Sequence, residues 1–395
     1  MKRDTKILFI HHASGWGGAP INMINIIIAL RFRGYVIEVL LLRNSDLVTY
    51  LKSQDISYKI VDHWFYKKFY RYFSHTVPGY TRWFNLPTLV HLSISWLLSR
   101  YIFAPQILRQ VDHDIIHLNS SVLTDWLSPS AKKAKVVMHV QEPFSSGLFG
   151  LRSRFFRNQM VKYCNHIIVI SEDNKTRLGI SHNISIVYNF AEFATQIPNK
   201  ESYESRRALY LGGASNIKGF HLLIDSAPLL DKEIEILFLG YYPQVRESAR
   251  HFLKYLLSFT YRRMVRSLRL MRSNPNFLEI GVVENPIPYI NNVACVICPF
   301  VIPHFARPIV EAFVNYKGVI ATKVEGMDEI VTDNEDGLLI NLDSESLAIA
   351  LNSLLNDKRK LKQFGLSGYI KSQKLFSSLN IDKIELIYQN IIKPI

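Results

Sequence analysis

The chain has 395 residues, 48 % hydrophobic and 20 % charged, with a net charge of +14 and three cysteines. This composition excludes a disordered chain and a disulfide scaffold, and the length suits two to three domains. No uncharged apolar run reaches the ~18 residues of a spanning helix, and the apolar run at 7–10 is too short for a signal-peptide core; the expectation is a cytoplasmic protein, peripheral to the inner face of the membrane.

In chain order, short apolar runs alternate with helical stretches, the mark of an α/β architecture. Residues 6–10 predict a buried strand. A loop holding Gly15, Gly17 and Gly18 follows, then an apolar helix over 21–31. Small residues between strand and helix let backbone N–H groups reach an anion at the helix N-terminus, although the glycine spacing fits neither a GxxxxGK[ST] loop nor the dinucleotide fingerprint. Further strands are predicted at 35–42, 114–118, 135–140, 166–170 and 185–188. Ser171 is a predicted N-cap, with Glu172 and Asp173 favourable in the first turn.

Residues 191–205 are polar and mixed, a candidate linker, after which the pattern restarts. Strands are predicted at 207–211, 235–240, 293–298, 318–321 and 337–340, with a helix over 219–230 and helical periodicity over 344–395. Gly212, Gly213 and Lys218 form a second loop suited to a diphosphate, since it places a cation just before a helix start. Cys295 and Cys298 make a CxxC inside a strand. Alternation sends the two thiols to opposite faces, so core packing is expected and metal binding is not.

The positive charge is concentrated in two acid-free segments. Between His63 and Val111 lie Lys67, Lys68, Arg71, Arg82, Arg100 and Arg109, beside an aromatic cluster from Trp64 to Phe84. Residues 248–278 read as one helix with Arg250, Lys254, Arg262, Arg266, Arg269 and Arg272 on one arc. Leu253, Leu256, Leu257, Tyr261, Met264, Leu268 and Met271 lie on the opposite arc, and Arg263 is the exception. Cations beside amphipathic rings suit an anionic membrane surface; a helix packed on a core with a solvated basic face is the alternative. Nucleic acid is not an expected partner, because no binding module is present.

The most informative run is 298–313, followed by 318–322 and 325–331. A strand ends, a loop follows, and Arg307-Pro308 opens a helix with Pro in its first turn. Glu311 lies one turn in, where a carboxylate can accept both hydroxyls of a ribose while the helix N-terminus faces a pyrophosphate. Pro303-His304-Phe305-Ala306-Arg307-Pro308-Ile309-Val310-Glu311-Ala312, Gly318-Val319-Ile320-Ala321-Thr322, Glu325-Gly326-Met327-Asp328-Glu329-Ile330-Val331 and Gly337-Leu338-Leu339-Ile340 resemble the corresponding stretches of retaining glycosyltransferases of family 4, the group 1 glycosyltransferases.

That resemblance implies a GT-B fold: two Rossmann-like doubly wound domains facing a central cleft. The expected domains are an acceptor-binding one over 1–195, a nucleotide-sugar-binding one over 196–375, and a C-terminal helix over 376–395 packing back on the first. It implies His139, Lys218 and Glu311 as catalytic residues. Donor binding would fall to Gly17, Gly18, Gly212, Gly213, Lys218, His304, Phe305, Ala306, Arg307, Pro308 and Glu311. Ser171, Glu172 and Asn189 fit the family's later signatures in the first domain. Two positions depart from the pattern: the first glutamate of the family's E-x7-E pair falls on Pro303, and the arginine often found before the loop lysine falls on Gly213.

The implied reaction moves a sugar from a nucleoside diphosphate sugar to a hydroxyl of a glycan or glycolipid acceptor, in surface polysaccharide or lipopolysaccharide synthesis. Neither cofactor nor metal is expected. A nucleotide-sugar epimerase and a non-catalytic sugar-nucleotide-binding protein are the alternatives.

Overall fold

Apolar runs too short to be helices and too uniformly apolar to leave a face in water are expected to pair as parallel strands covered on both sides, and here they do so in two separate sheets. The computed structural model describes residues 5–12, 15, 17–72, 86–144, 150–191, 193, 200–245, 255–303 and 305–392. The chain divides into two units, Met1–Phe190 with Ser378–Ile395, and Ala191–Ser377.

In the first unit, strands β1 (Lys6–His11), β2 (Val36–Leu41), β3 (Ser57–Ile60), β4 (Ile115–Leu118), β5 (Lys135–Val140), β6 (His166–Val169) and β7 (Ile184–Ile186) form one sheet. Its order is β3-β2-β1-β4-β5-β6-β7, and every pairing is parallel. The main helices are α1 (Gly18–Phe32), α2 (Leu47–Ser53), α3 (Leu86–Leu98), α4 (Leu151–Tyr163) and α5 (Glu172–Leu178). Alternation splits the sheet's side chains between two cores: Leu8, Ile10, Ile116 and Met138 face one, and Ile7, Phe9, Ile115 and Val137 the other. Ser171 caps α5, its Oγ accepting the Asn174 N–H at 3.0 Å.

In the second unit, β8 (Arg207–Tyr210), β9 (Glu235–Leu239), β10 (Phe277–Gly281), β11 (Cys295–Cys298), β12 (Gly318–Thr322) and β13 (Gly337–Ile340) are ordered β10-β9-β8-β11-β12-β13, again all parallel. Its main helices are α6 (Phe220–Ser226), α7 (Phe259–Ser273), α8 (Arg307–Val314), α9 (Ser344–Asn356) and α10 (Lys358–Leu375). The last helix, α11 (Asn380–Ile392), belongs to the first unit. It lays Ile381, Ile384 and Tyr388 into the core beside β1, and its Tyr388 hydroxyl shares a 2.6 Å hydrogen bond with His117 Nδ1.

Several boundaries differ from those the sequence predicts. The basic helix expected over 248–278 is helical at 255–257, breaks at Ser258, whose hydroxyl accepts the Tyr261 N–H to start α7, and ends at Ser273; residues 246–254 lie outside the described ones. The helix expected over 219–230 narrows after Ser226 to a 3₁₀ turn at Ala227–Leu229, where Pro228 withholds a donor. The linker contains a short helix, Lys200–Glu204. Cys295 and Cys298 are free and buried. No helix among the described residues is long and apolar enough to cross a membrane.

Three buried histidines occupy one face of the first sheet. Burial pushes His11 down to about 4 and His139 to about 3. Burial, followed by the neighbouring His139, also lowers His117 well below its ordinary value. All three are neutral in the folded chain, whereas near pH 5 the unfolded chain protonates them at their ordinary 6.5. The unfolded state therefore gains protons first, and stability present above pH ~6.5 drains away as pH falls towards 4. His11 alone contributes about 3 kcal/mol to this loss. Asp125, pushed up to about 6 by burial, takes its proton first in the folded state and opposes the loss in part. The melting temperature of the first unit is expected to fall between about pH 7.5 and about pH 5; a flat calorimetric profile over that range would contradict the assignment.

Candidate functional site

Ligands of open parallel sheets bind outside the carboxyl ends of the strands, where the strand order reverses. In the second unit that point lies between β8 and β11. The two strands run out into loops that touch: Val301 N–H donates to the Ile217 carbonyl at 2.9 Å. Gly219 has φ +74°, and a Cβ there would sit 1.7 Å from the Pro299 carbonyl oxygen. Tyr210 Oη lies 3.2 Å from both the Gly213 and the Lys218 carbonyl oxygens, which pins the loop from below.

Between the loops is a narrow recess lined by Gly212, Lys218, Cys298, Phe300 and Pro308 among others. Burial lowers the Lys218 ammonium below its ordinary range, and Cys298 and then Glu311 act to raise it again. Glu311 thus acts electrostatically on Lys218. Among the described residues no ion pair engages Lys218.

Helix α8 opens beside this recess. Ala306 is its extended N-cap and gives no side-chain cap, while Pro308 sits in the first turn. Pro308 has no N–H and the Ile309 N–H donates to the Ala306 carbonyl at 3.0 Å, so what this end offers is chiefly the positive end of the helix dipole. One turn in, Arg307 Nε donates to Glu311 Oε1 at 2.7 Å, which fixes the carboxylate on the helix and leaves Oε2 for another donor. Phe305 and Ala306 are buried, and Pro303 is partly exposed. His304 lies outside the described residues.

The first unit has the matching reversal between β1 and β4. Gly17 is the extended N-cap of α1 and Gly18 its first residue; a Cβ at Gly17 would meet nothing within 4 Å. Nearby, three strand ends join in a network that reading the sequence missed. Gln141 Nε2 donates to Asn119 Oδ1 at 2.5 Å, and Asn119 Nδ2 lies 3.1 Å from His11 Nδ1. Because the Asn119 amide donates there, the His11 proton resides on Nε2, which is buried without a partner. Beside it the Glu142 carboxyl accepts from the hydroxyls of Ser120 and Ser121, and burial raises its pKa. Polar residues directly after two apolar strands were the available signal.

His139 is the penultimate residue of β5 and wholly buried. Its ring stands edge-on to His117 at 5.4 Å, and neither ring nitrogen has a hydrogen-bond partner. With its pKa near 3 it is a neutral polar side chain. Asn189 is buried with Oδ1 unpartnered.

Of the predicted membrane-facing cations, Lys67, Lys68 and Arg71 are exposed at and after the π-helical turn Phe65–Phe69, with Lys67 paired to Asp62. Arg262, Arg266 and Arg269 are exposed on α7. So is Arg263, which widens the basic face beyond the predicted arc. Arg272 pairs with Glu279 at 2.8 Å. Arg250 and Lys254 lie outside the described residues.

Residues 205–357, which hold the recess, match the family model "Glycosyl transferases group 1". The matched stretch lies within the second unit. Over 125 residues, 31 % of this chain and 33 % of the relative, the chain is 28 % identical to the capsular polysaccharide biosynthesis glycosyltransferase CapM of Staphylococcus aureus. The aligned part thus spans about a third of that relative's length. It is 21 % identical over 315 residues to the glycosyltransferase MJ1178 of Methanocaldococcus jannaschii, covering 78 % of this chain and 84 % of that one. Among solved structures, Anabaena HepE in complex with UDP and glucose superposes with a TM-score of 0.71 at 18 % identity, over 98 % of this chain and 99 % of that one. S. aureus TarM superposes at 0.70 and 13 % identity, over 99 % and 100 %. These structural likenesses establish the GT-B fold, two parallel-sheet α/β units.

Proposed function

We propose that the chain is a retaining glycosyltransferase that moves a sugar from a nucleoside diphosphate sugar to a hydroxyl of a lipid-linked glycan at the cytoplasmic membrane face, in surface polysaccharide or lipopolysaccharide synthesis. The observation that carries this reading is the recess at the β8/β11 reversal, where a partly buried ammonium, an uncapped helix N-terminus and a fixed carboxylate meet inside the stretch that matches the group 1 glycosyltransferases. The capsular-polysaccharide relative and the UDP- and UDP-glucose-bound forms of HepE support it.

As the glycosidic bond to the donor phosphate breaks, the leaving diphosphate gains negative charge. Lys218 and the N-terminal dipole of α8 meet that charge already in place, so no reorganisation is needed as the bond breaks. Glu311, with Oε1 held by Arg307, offers Oε2 to the ribose hydroxyls. Among the described residues lining the recess there is no carboxylate to serve as the nucleophile that retaining glycosidases use. The acceptor oxygen therefore attacks on the face that the diphosphate leaves, and the departing phosphate oxygen takes the acceptor's proton. In the first unit, Gly17 and Gly18 leave room for an anion at the start of α1, and His139 is a neutral polar group.

The test is a thermal-shift screen of nucleoside diphosphate sugars, UDP-sugars first, since a ligand that binds only the folded state raises the melting temperature. Glu311→Ala is expected to weaken binding of the stabilising donor about 10–100-fold, the worth of hydrogen bonds to a charged group. Titration calorimetry reads this directly. No stabilising donor, or equal affinity in the variant, would remove the recess from the mechanism.

A further inference from the structure

Helix α3 and the π-helical turn Ser99–Phe103 that continues it turn an apolar face outward. Leu86, Val90, Ile94, Leu97 and Tyr101 are 66 %, 50 %, 42 %, 48 % and 67 % exposed. At ~100° per residue they share about a quarter of the helix circumference, with the small polar Ser93 at its border. The opposite face is already committed, with Leu92, Ser95 and Trp96 buried. A helix on a water-facing surface carries charges on its outer side; this one has none before Arg100.

The surroundings of the stripe are cationic on both sides. On one side Phe69 stacks on His91 at 4.5 Å, bringing the turn with exposed Trp64, Lys67 and Lys68 alongside. On the other, Phe155 of α4 stands edge-on to Trp96 at 5.3 Å, bringing exposed Leu151 and Val161 with Arg154 and Lys162. Neither residues 63–111 nor residues 143–171 contain an Asp or Glu. Arg100 lies buried against the rings of Trp96 and Tyr163, at 4.9 and 5.0 Å. Its Nε and Nη1 have no partner, and no carboxylate among the described residues pairs with it.

We propose that this face docks on an anionic lipid bilayer, with α3 lying in the plane of the interface. The apolar stripe enters the boundary between headgroups and acyl chains, and the flanking cations reach lipid phosphates, as interfacial helices do. A second copy of the chain fits less well. A self-complementary contact would bring like-charged rims together, with Asp62, already paired to Lys67, as the neighbouring acid. The proposal rests on the membrane-face reading above and assigns it an element, α3, that the two basic segments alone did not indicate.

The experiment is co-sedimentation of the full chain with phosphatidylcholine vesicles with and without phosphatidylglycerol. The wild type is expected to partition onto the anionic vesicles and to be released by salt. The exposed double variant Ile94→Glu/Leu97→Glu is expected to lose at least ~10-fold in partition, because two buried apolar side chains become charges repelled by the surface. Its stabilisation by UDP should be unchanged, so a failed donor reading and a failed membrane reading give different results. A Leu97→Trp variant supplies a second measurement: the emission it adds to the wild-type signal should shift to the blue on vesicles and be quenched by brominated lipid. The proposal is overturned by equal partition of the double variant, or by added emission from Leu97→Trp that brominated lipid leaves unquenched. It is overturned too if the double substitution breaks up a dimer and leaves vesicle binding intact.

Discussion

Lys218→Met is expected to lower turnover with the stabilising donor by about 10²–10³-fold, the usual effect of deleting one preorganised group that meets charge developing in the transition state. The expectation follows from where the ammonium stands. Its loop is pinned by the Tyr210 hydroxyl to the Gly213 and Lys218 carbonyls. Burial lowers its pKa, Glu311 acts to raise it again, and no described residue forms an ion pair with it. Methionine keeps most of the stem's packing and removes the charge. The loss should therefore fall mainly on kcat, because the charge on the diphosphate grows as the bond breaks. Initial rates of nucleoside diphosphate release with acceptor present measure it. Unchanged kcat would place the stabilising charge elsewhere.

The second large effect is on stability. Gly219→Ala would put a methyl group 1.7 Å from the Pro299 carbonyl oxygen and 2.7 Å from its carbon, at φ +74°. Neither partner is a flexible side-chain tip: one loop is anchored by Tyr210 and the other leaves the central strand β11. The backbone must separate, and a left-handed alanine adds its own strain. A cost of about 3 kcal/mol or more is expected, lowering the melting temperature of the second unit by ~6 °C or more. Stabilisation by UDP should be lost with it, because the displaced loop carries Lys218. A variant that melts like the wild type would mean the two loops can part cheaply.

Much of this molecule was legible in its sequence. The central strands were, since 6–10, 135–140, 207–211 and 318–321 are apolar runs with no other way to be buried. Of the four edge strands β7 and β13 were legible and the other two were harder. Ser57–Ile60, exposed on alternate residues, and Phe277–Gly281, with three exposed residues of five, lack the uninterrupted apolar signal. Lys218 and Glu311 could be picked out because each sits in a short linear pattern, a glycine loop before a helix and an Arg-Pro helix start. The His11–Asn119–Gln141 network could not, because it is assembled from three strand ends more than twenty residues apart that only the sheet order makes neighbours. The stripe on α3 escaped for a different reason. Apolar residues at helical spacing normally mean core, and only the packed opposite face shows that this set is surplus to it. The basic helix was read too long, because continuous basic periodicity across 248–278 hid the Ser258 cap.

The placement of α11 bears on the order in which the chain can acquire its structure during synthesis. The second unit is one continuous stretch and has all its strands once residue 377 has emerged. The first needs Tyr388 against His117, and Ile381 and Ile384 in the core beside β1. The half of the molecule that leaves the ribosome first is therefore completed last, its sheet left with one face partly bare until the final helix arrives.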